Sequence, residues 1–249
     1  MLPDFEPSQW IMAVFAAAGI GVSKSGLPGI SLLHVVLFAH LFPGLESTGI
    51  VLPMLIAGDV GAVLLFRRHA QWRHVARTLP PAVIGVVAGW WWMGRLREAP
   101  FEPVIGGIVL TLALLQAWRD RNPDLWRNLP HSRGFAWSMG FVAGVTTMLA
   151  NAAGPVMALY LLAVALPRHE FVGTAAWFFL IINVIKVPFS AQLGLISPST
   201  LAINGILLPA IAAGLLLGKC IIHRIPQKAF ELLILGFAVI ASLRLLGVF

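Results

Sequence analysis

Ten apolar runs follow one another along the chain, and nearly all of its charge lies in the short connections between them. The runs cover 9 to 22, 29 to 42, 47 to 66, 75 to 93, 104 to 118, 135 to 150, 155 to 166, 171 to 190, 200 to 218 and 229 to 246. A backbone surrounded by lipid must satisfy its own hydrogen bonds, which leaves helices and closed barrels as the only spanning structures, and these runs lack the alternating period of barrel strands. The expected fold class is therefore all-α, a polytopic membrane protein. Its 11% charged residues, against about 25% in an average soluble chain, point the same way.

The runs also repeat. Residues 81 to 102 contain Pro81-xxx-Gly85-xxx-Gly89, then Gly94-Arg95, Pro100 and Phe101-Glu102, while residues 209 to 231 contain Pro209-xxxx-Gly214-xxx-Gly218-Lys219, Pro226 and Phe230-Glu231. Upstream of each copy lies a short apolar pair broken at its centre, at Ser23-Lys24-Ser25-Gly26-Leu27-Pro28-Gly29 and at Asn151-Ala152-Ala153-Gly154-Pro155. Fourteen residues of helix span about 21 Å against about 30 Å of hydrocarbon, so each pair reads as two half-helices that return the chain to the side it left. Three full passes follow each hairpin, and an odd number of passes inverts the second copy relative to the first. This predicts an N-terminal half over 1–118, a cytoplasmic linker over 119–134 and a C-terminal half over 135–249, related as an inverted repeat of five segments each.

Basic residues in short loops mark the cytoplasmic side. With the loop of Arg67, Arg68, Arg73 and Arg77 inside, 11 Lys or Arg fall inside and only Arg95, Arg97 and Arg244 outside, which puts both termini outside the cell membrane. Trp90, Trp91 and Trp92 then fall at the outer end of their helix, where an aromatic belt is expected. The N-terminus carries Asp4 and Glu6 with no basic region ahead of the first run, so it does not read as a secretory signal.

Three cations lie within or beside apolar sequence: Lys24, Lys186 and Lys219. Lys219 is placed to snorkel to the inner interface. The other two need a partner or a role, because an ionisable group inside a membrane is costly to keep without one. Lys24 stands at the first break. A half-helix that starts at mid-membrane points free N–H groups and the positive end of its dipole at the bilayer centre, and two such starts are predicted here, after Gly26-Leu27-Pro28-Gly29 and after Gly154-Pro155. Ser23, Lys24, Ser25, Thr146, Thr147 and Asn151 surround them with donors. Positive charge and donors without nearby carboxylates suit a small oxyanion, and the predicted substrate-binding set is Lys24, Ser25, Gly26, Gly29, Thr147, Asn151 and Gly154. The competing reading is that these residues serve tight helix packing and backbone satisfaction.

Asp59 lies late in the third run, and the pattern Asp59-Val60 and Asn183-Val184 makes Asn183 its repeat mate, three positions before Lys186. These three form the predicted coupling or gating set: Asp59 carries a coupling proton or pairs with Lys186, and Lys186 holds substrate or neutralises Asp59. His34 and His40 read as packing or interfacial residues.

Several classes are disfavoured. Cys220 is the only cysteine, which excludes an intramolecular disulfide and a multi-cysteine metal site. The net charge of +7 is distributed among loops rather than gathered on one soluble face, against nucleic-acid binding. No nucleotide-binding, Gly-x-Ser-x-Gly, His-Glu-x-x-His or paired acidic motif is present, so neither direct ATP drive nor an intramembrane enzyme is expected. No cofactor and no metal site are predicted. The expected partners are a small anion and the bilayer, with a homodimer as the candidate assembly.

The breaks at Gly26-Leu27-Pro28-Gly29 and Asn151-Ala152-Ala153-Gly154-Pro155, the Gly173-Thr174 that opens a segment and the stretch from Asn183 to Pro188 resemble the TauE/SafE family of sulfite exporters. The resemblance covers essentially the whole chain. It implies transport of sulfite or an organosulfonate, usually outward. One departure is the first break, which carries Lys24 and Leu27-Pro28 where many relatives are richer in glycine.

Overall fold

A computed structural model describes residues 5–25, 30–42, 45–95, 101–122, 132–221, 236, 238–240 and 242–248. Nine α-helices are described over their length: α1 (Pro7–Lys24), α2 (Ser31–Leu41), α3 (Glu46–Phe66), α4 (Trp72–Arg95), α5 (Glu102–Arg121), α6 (Arg133–Ala150), α7 (Ala153–Ala163), α8 (Arg168–Gln192) and α9 (Pro198–Ile221). Residues 238–240 and 242–245 are also helical, and no strand occurs among the described residues. The fold is all-α, as the apolar runs require. Helices α3, α8 and α9 contain stretches long and apolar enough to cross a bilayer. They continue through Pro53, Pro188 and Pro209, which membrane helices tolerate because neighbouring groups take up the freed carbonyls.

The surface is as apolar as the interior. Ile11, Leu64 and Val248 are 71%, 65% and 63% exposed, an arrangement that water penalises and lipid does not. Trp91 and Trp92, on the last turns of α4, are exposed, and the Arg95 guanidinium lies 3.4 Å above the Trp91 ring, a pairing suited to a membrane interface.

The broken pairs do not form four equal half-helices. Their first arms, α1 and α6, run 18 residues each, about 27 Å of helix. The second arms, α2 and α7, have only 11 residues each, about 16 Å. The first arms gain length at their starts. In α1, Pro7 occupies the first turn and the Glu6 N–H donates to the Gln9 side chain at 2.9 Å, while Ser132 caps α6 by accepting from the Phe135 N–H at 3.1 Å. α1 also runs on past its predicted end, so Ser23 and Lys24 sit in its last turn, inside the helix rather than in the break. The second hairpin turns on Asn151, whose φ of 53° ends α6 in the left-handed region while its N–H donates to the Thr147 carbonyl and the Ala152 N–H to the Thr146 carbonyl. Asparagine is one of the few residues with a side chain that adopts this conformation readily.

Each first arm packs along a distant pass, α1 along α9 and α6 along α4, and these are the most extensive helix pairings. Both crossings are glycine on glycine. A Cβ on Gly21 would strike the backbone of Gly214, and one on Gly85 would strike that of Gly144. Removing side chains at a crossing lets backbones approach closely, the usual device of membrane helices, which have no hydrophobic force to join them.

Candidate functional site

The ends of the two first arms, the starts of the two second arms and the middles of α3 and α8 converge on one cleft. It holds about 670 Å³ of empty space, counted out to its open side, and its wall includes Ser23, Lys24, Ser31, His34, Thr147, Asn151, Gly154, Phe179 and Asn183. Sequence separation of more than 100 residues between its sides is bridged by helix packing alone.

Two cations stand at it with different partners, Lys24 with 10% of its side chain exposed and Lys186 buried. The Lys24 ammonium lies 2.6 Å from Asp59 Oδ1 and 4.5 Å from the centroid of the Phe179 ring. The other Asp59 oxygen accepts from Asn183 Nδ2 at 2.8 Å, so the carboxylate, with no exposed surface, is held from both sides. Lys186, 1% exposed, donates to the Thr147 carbonyl at 2.7 Å, to Asn151 Oδ1 at 2.6 Å and to Thr147 Oγ1 at 3.2 Å. Asn151 in turn donates from Nδ2 to the Thr48 carbonyl at 2.8 Å, tying the second hairpin to α3. The expected pairing of Asp59 with Lys186 therefore does not form. Lys24 reaches the carboxylate first because it sits on the last turn of α1 against Gly58, and Lys186 is satisfied by neutral acceptors at the end of α6.

Of the predicted substrate-binding residues, Lys24, Thr147, Asn151 and Gly154 line the cleft. Ser25 does not: its hydroxyl donates to the Val22 carbonyl at 2.6 Å and its side chain fills the space beside Gly218. Gly26 and Gly29 lie outside the described residues. In the coupling set Asn183 lines the cleft, while Asp59 and Lys186 stand behind it. His34 differs from its reading as a packing residue. It is 1% exposed, borders the cleft, and neither ring nitrogen has a hydrogen-bond partner. The available signal was its place three residues after Ser31, one turn into the helix that follows a break. His40, exposed at the far end of α2, fits an interfacial place.

The family described as sulfite exporter TauE/SafE matches residues 11–245. The chain belongs to the TauE/SafE family. Its all-helical fold with long apolar helices is thus that of a multi-pass membrane protein in a family of sulfite-exporter-type transporters rather than enzymes. No match was found among curated proteins.

As a TauE/SafE member the chain depends on Asn151 twice, for a left-handed turn and for the Lys186 network. Asn151→Gly removes only the hydrogen bonds, and a bond to a charged group contributes about 1.5–3 kcal/mol. Asn151→Ala also keeps a Cβ in the left-handed region without the polar side chain that offsets it there, at a further ~1–2 kcal/mol. In detergent unfolding, both variants should melt below the parent and the alanine variant below the glycine variant. Equal melting of all three would remove Asn151 from the fold's support.

Proposed function

We propose that the protein is a secondary transporter that exports sulfite or a small organosulfonate anion across the cytoplasmic membrane. The observation that carries this reading is the convergence of two broken hairpins on a cleft beside two lysines. Lys24, Thr147, Asn151 and Gly154 are proposed to contact the anion, with the start of α7 adding its N–H groups. Ser25 packs at the end of α1 beside Gly218.

The paired crossings of α1 with α9 and α6 with α4 support an inverted repeat. Under a repeat that relates α1 to α6 and α4 to α9, the contact of Gly21 with Gly214 maps onto that of Gly144 with Gly85. We assign the halves to 1–118 and 135–249, joined by a cytoplasmic linker, with both termini outside. Alternation of the two hairpins about the shared cleft would then expose it to each side in turn.

Outward movement agrees with the membrane potential. A monoanion leaving a negative-inside cell gains about 2.3 kcal/mol per 100 mV, a roughly fiftyfold gradient. The buried Asp59 carboxylate favours a second reading, a proton-coupled carrier for the same class of anion in which protonation of Asp59 releases Lys24. Proteoliposomes loaded with labelled sulfite, taurine, sulfoacetate and sulfate test both. Export predicts counterflow of sulfite or a sulfonate driven by an inside-negative potential. If Asp59 carries a proton, Asp59→Asn abolishes the pH dependence of net flux and leaves substrate exchange intact. No flux of any sulfur anion refutes the export reading.

A further inference from the structure

The cleft's buried charges do not cancel. Lys24 and Asp59 form a neutral pair. Lys186 places three acceptors around Nζ, a number that matches the three N–H bonds of the protonated ammonium. Each of those acceptors is uncharged, and the ion pair at the cleft joins Lys24 to Asp59. The cluster of Lys24, Asp59 and Lys186 thus carries one uncompensated positive charge in a setting where an unbalanced charge is expensive and acts over long distance.

Two polar groups in the wall are also unused. His34 has no partner at either ring nitrogen, and Asn183 has none at Oδ1. The Asn183 amide is oriented by its donation to Asp59, so the atom left over is an acceptor. A lone acceptor in the wall opposes a dianion more strongly than a monoanion.

Resting on the transporter reading above, we propose that the cleft selects singly charged oxyanions over doubly charged ones, with Lys186 as the counter-charge and His34 as a hydrogen-bond partner of the anion. For sulfite, which near neutral pH is a mixture of the singly and doubly charged ions, the transported species is then bisulfite. For organosulfonates, those with a single negative charge are preferred.

Methanesulfonate and sulfate are tetrahedral ions of similar size that differ by one charge, and their binding to purified full-length protein in lipid nanodiscs separates valence from shape. Methanesulfonate should bind at least about tenfold more tightly than sulfate, because a second buried negative charge has no counter-charge. The double variant Lys24→Met with Asp59→Asn removes a neutral pair together with a proposed anion contact, so it should weaken both ions while leaving the preference, set by Lys186, in place. Lys186→Arg keeps the charge and should also keep it, whereas Lys186→Met should lose methanesulfonate affinity by about tenfold or more and shrink the preference. His34→Phe should weaken both ions together with their ratio unchanged. Equal binding of the two ions by the parent protein, binding of neither, or an unchanged ratio in folded Lys186→Met overturns the proposal. Selective binding without sulfonate flux refutes export alone, and sulfite flux without selectivity refutes the valence inference alone.

Discussion

Replacing Asp59 with Asn is expected to cost the fold about 3–5 kcal/mol, since it strands the Lys24 ammonium in the interior without its counter-charge. The distance of 2.6 Å and the absence of exposed surface on Asp59 place this pair among those where removing one partner is worse than removing both. Lys24→Met alone should be destabilising for the mirror-image reason. The double variant should therefore melt above Asp59→Asn and recover a substantial part of the loss. Lys186→Met in the Asp59→Asn background should recover nothing, because Lys186 is held by Thr147 and Asn151 and leaves their oxygens unmet when removed. Thermal unfolding of the three single and two double variants in one detergent decides the matter. Recovery through Lys186 in place of Lys24 would show that the carboxylate belongs to the other lysine.

A single methyl group at either glycine crossing should be as damaging. In Gly144→Ala the new Cβ would overlap the Ala82 carbonyl, and in Gly214→Ala the Ala18 carbonyl. Overpacking typically costs about 1–3 kcal/mol and more when nothing can yield. Here the obstacle is backbone on both sides, so two long helices must separate to admit the methyl, and the loss should exceed that range. Gly107→Ala and Gly205→Ala are the controls. Both sit in helices with open space where the Cβ would go, and alanine has the better helix propensity by about 1 kcal/mol. The expected result is little monodisperse protein from the first two variants and parent-like or higher melting from the controls. Parent-like melting of Gly144→Ala would show that α4 and α6 do not approach so closely.

These expectations differ in how much of them the chain discloses before it folds. That every element is helical follows from the length and apolarity of the runs, because lipid offers the backbone no other partner. The second break, at Asn151–Pro155, is equally local: an asparagine that accepts a left-handed φ and a proline suited to a helix start act within a few residues of themselves. The family, too, was legible from those short stretches. Arm lengths were not, since a cap three residues upstream of a run lengthens a helix through side chains that carry no apolar signal.

The pairing of charges lay wholly beyond sequence. Asp59 and Lys186 sit on neighbouring helices, and their order in the chain made them natural partners, yet a close approach of α1 to α3 delivered Lys24 to the carboxylate and left Lys186 to neutral oxygens. His34 was obscured for the same reason. A histidine in an apolar helix has the same local sequence whether it packs against a neighbour or borders a cleft. Local propensity and the bilayer determine which segments are helices and where they break. Which polar groups meet at the centre depends on backbone distances set by glycines where helices from distant parts of the chain cross, and only the packed structure specifies those.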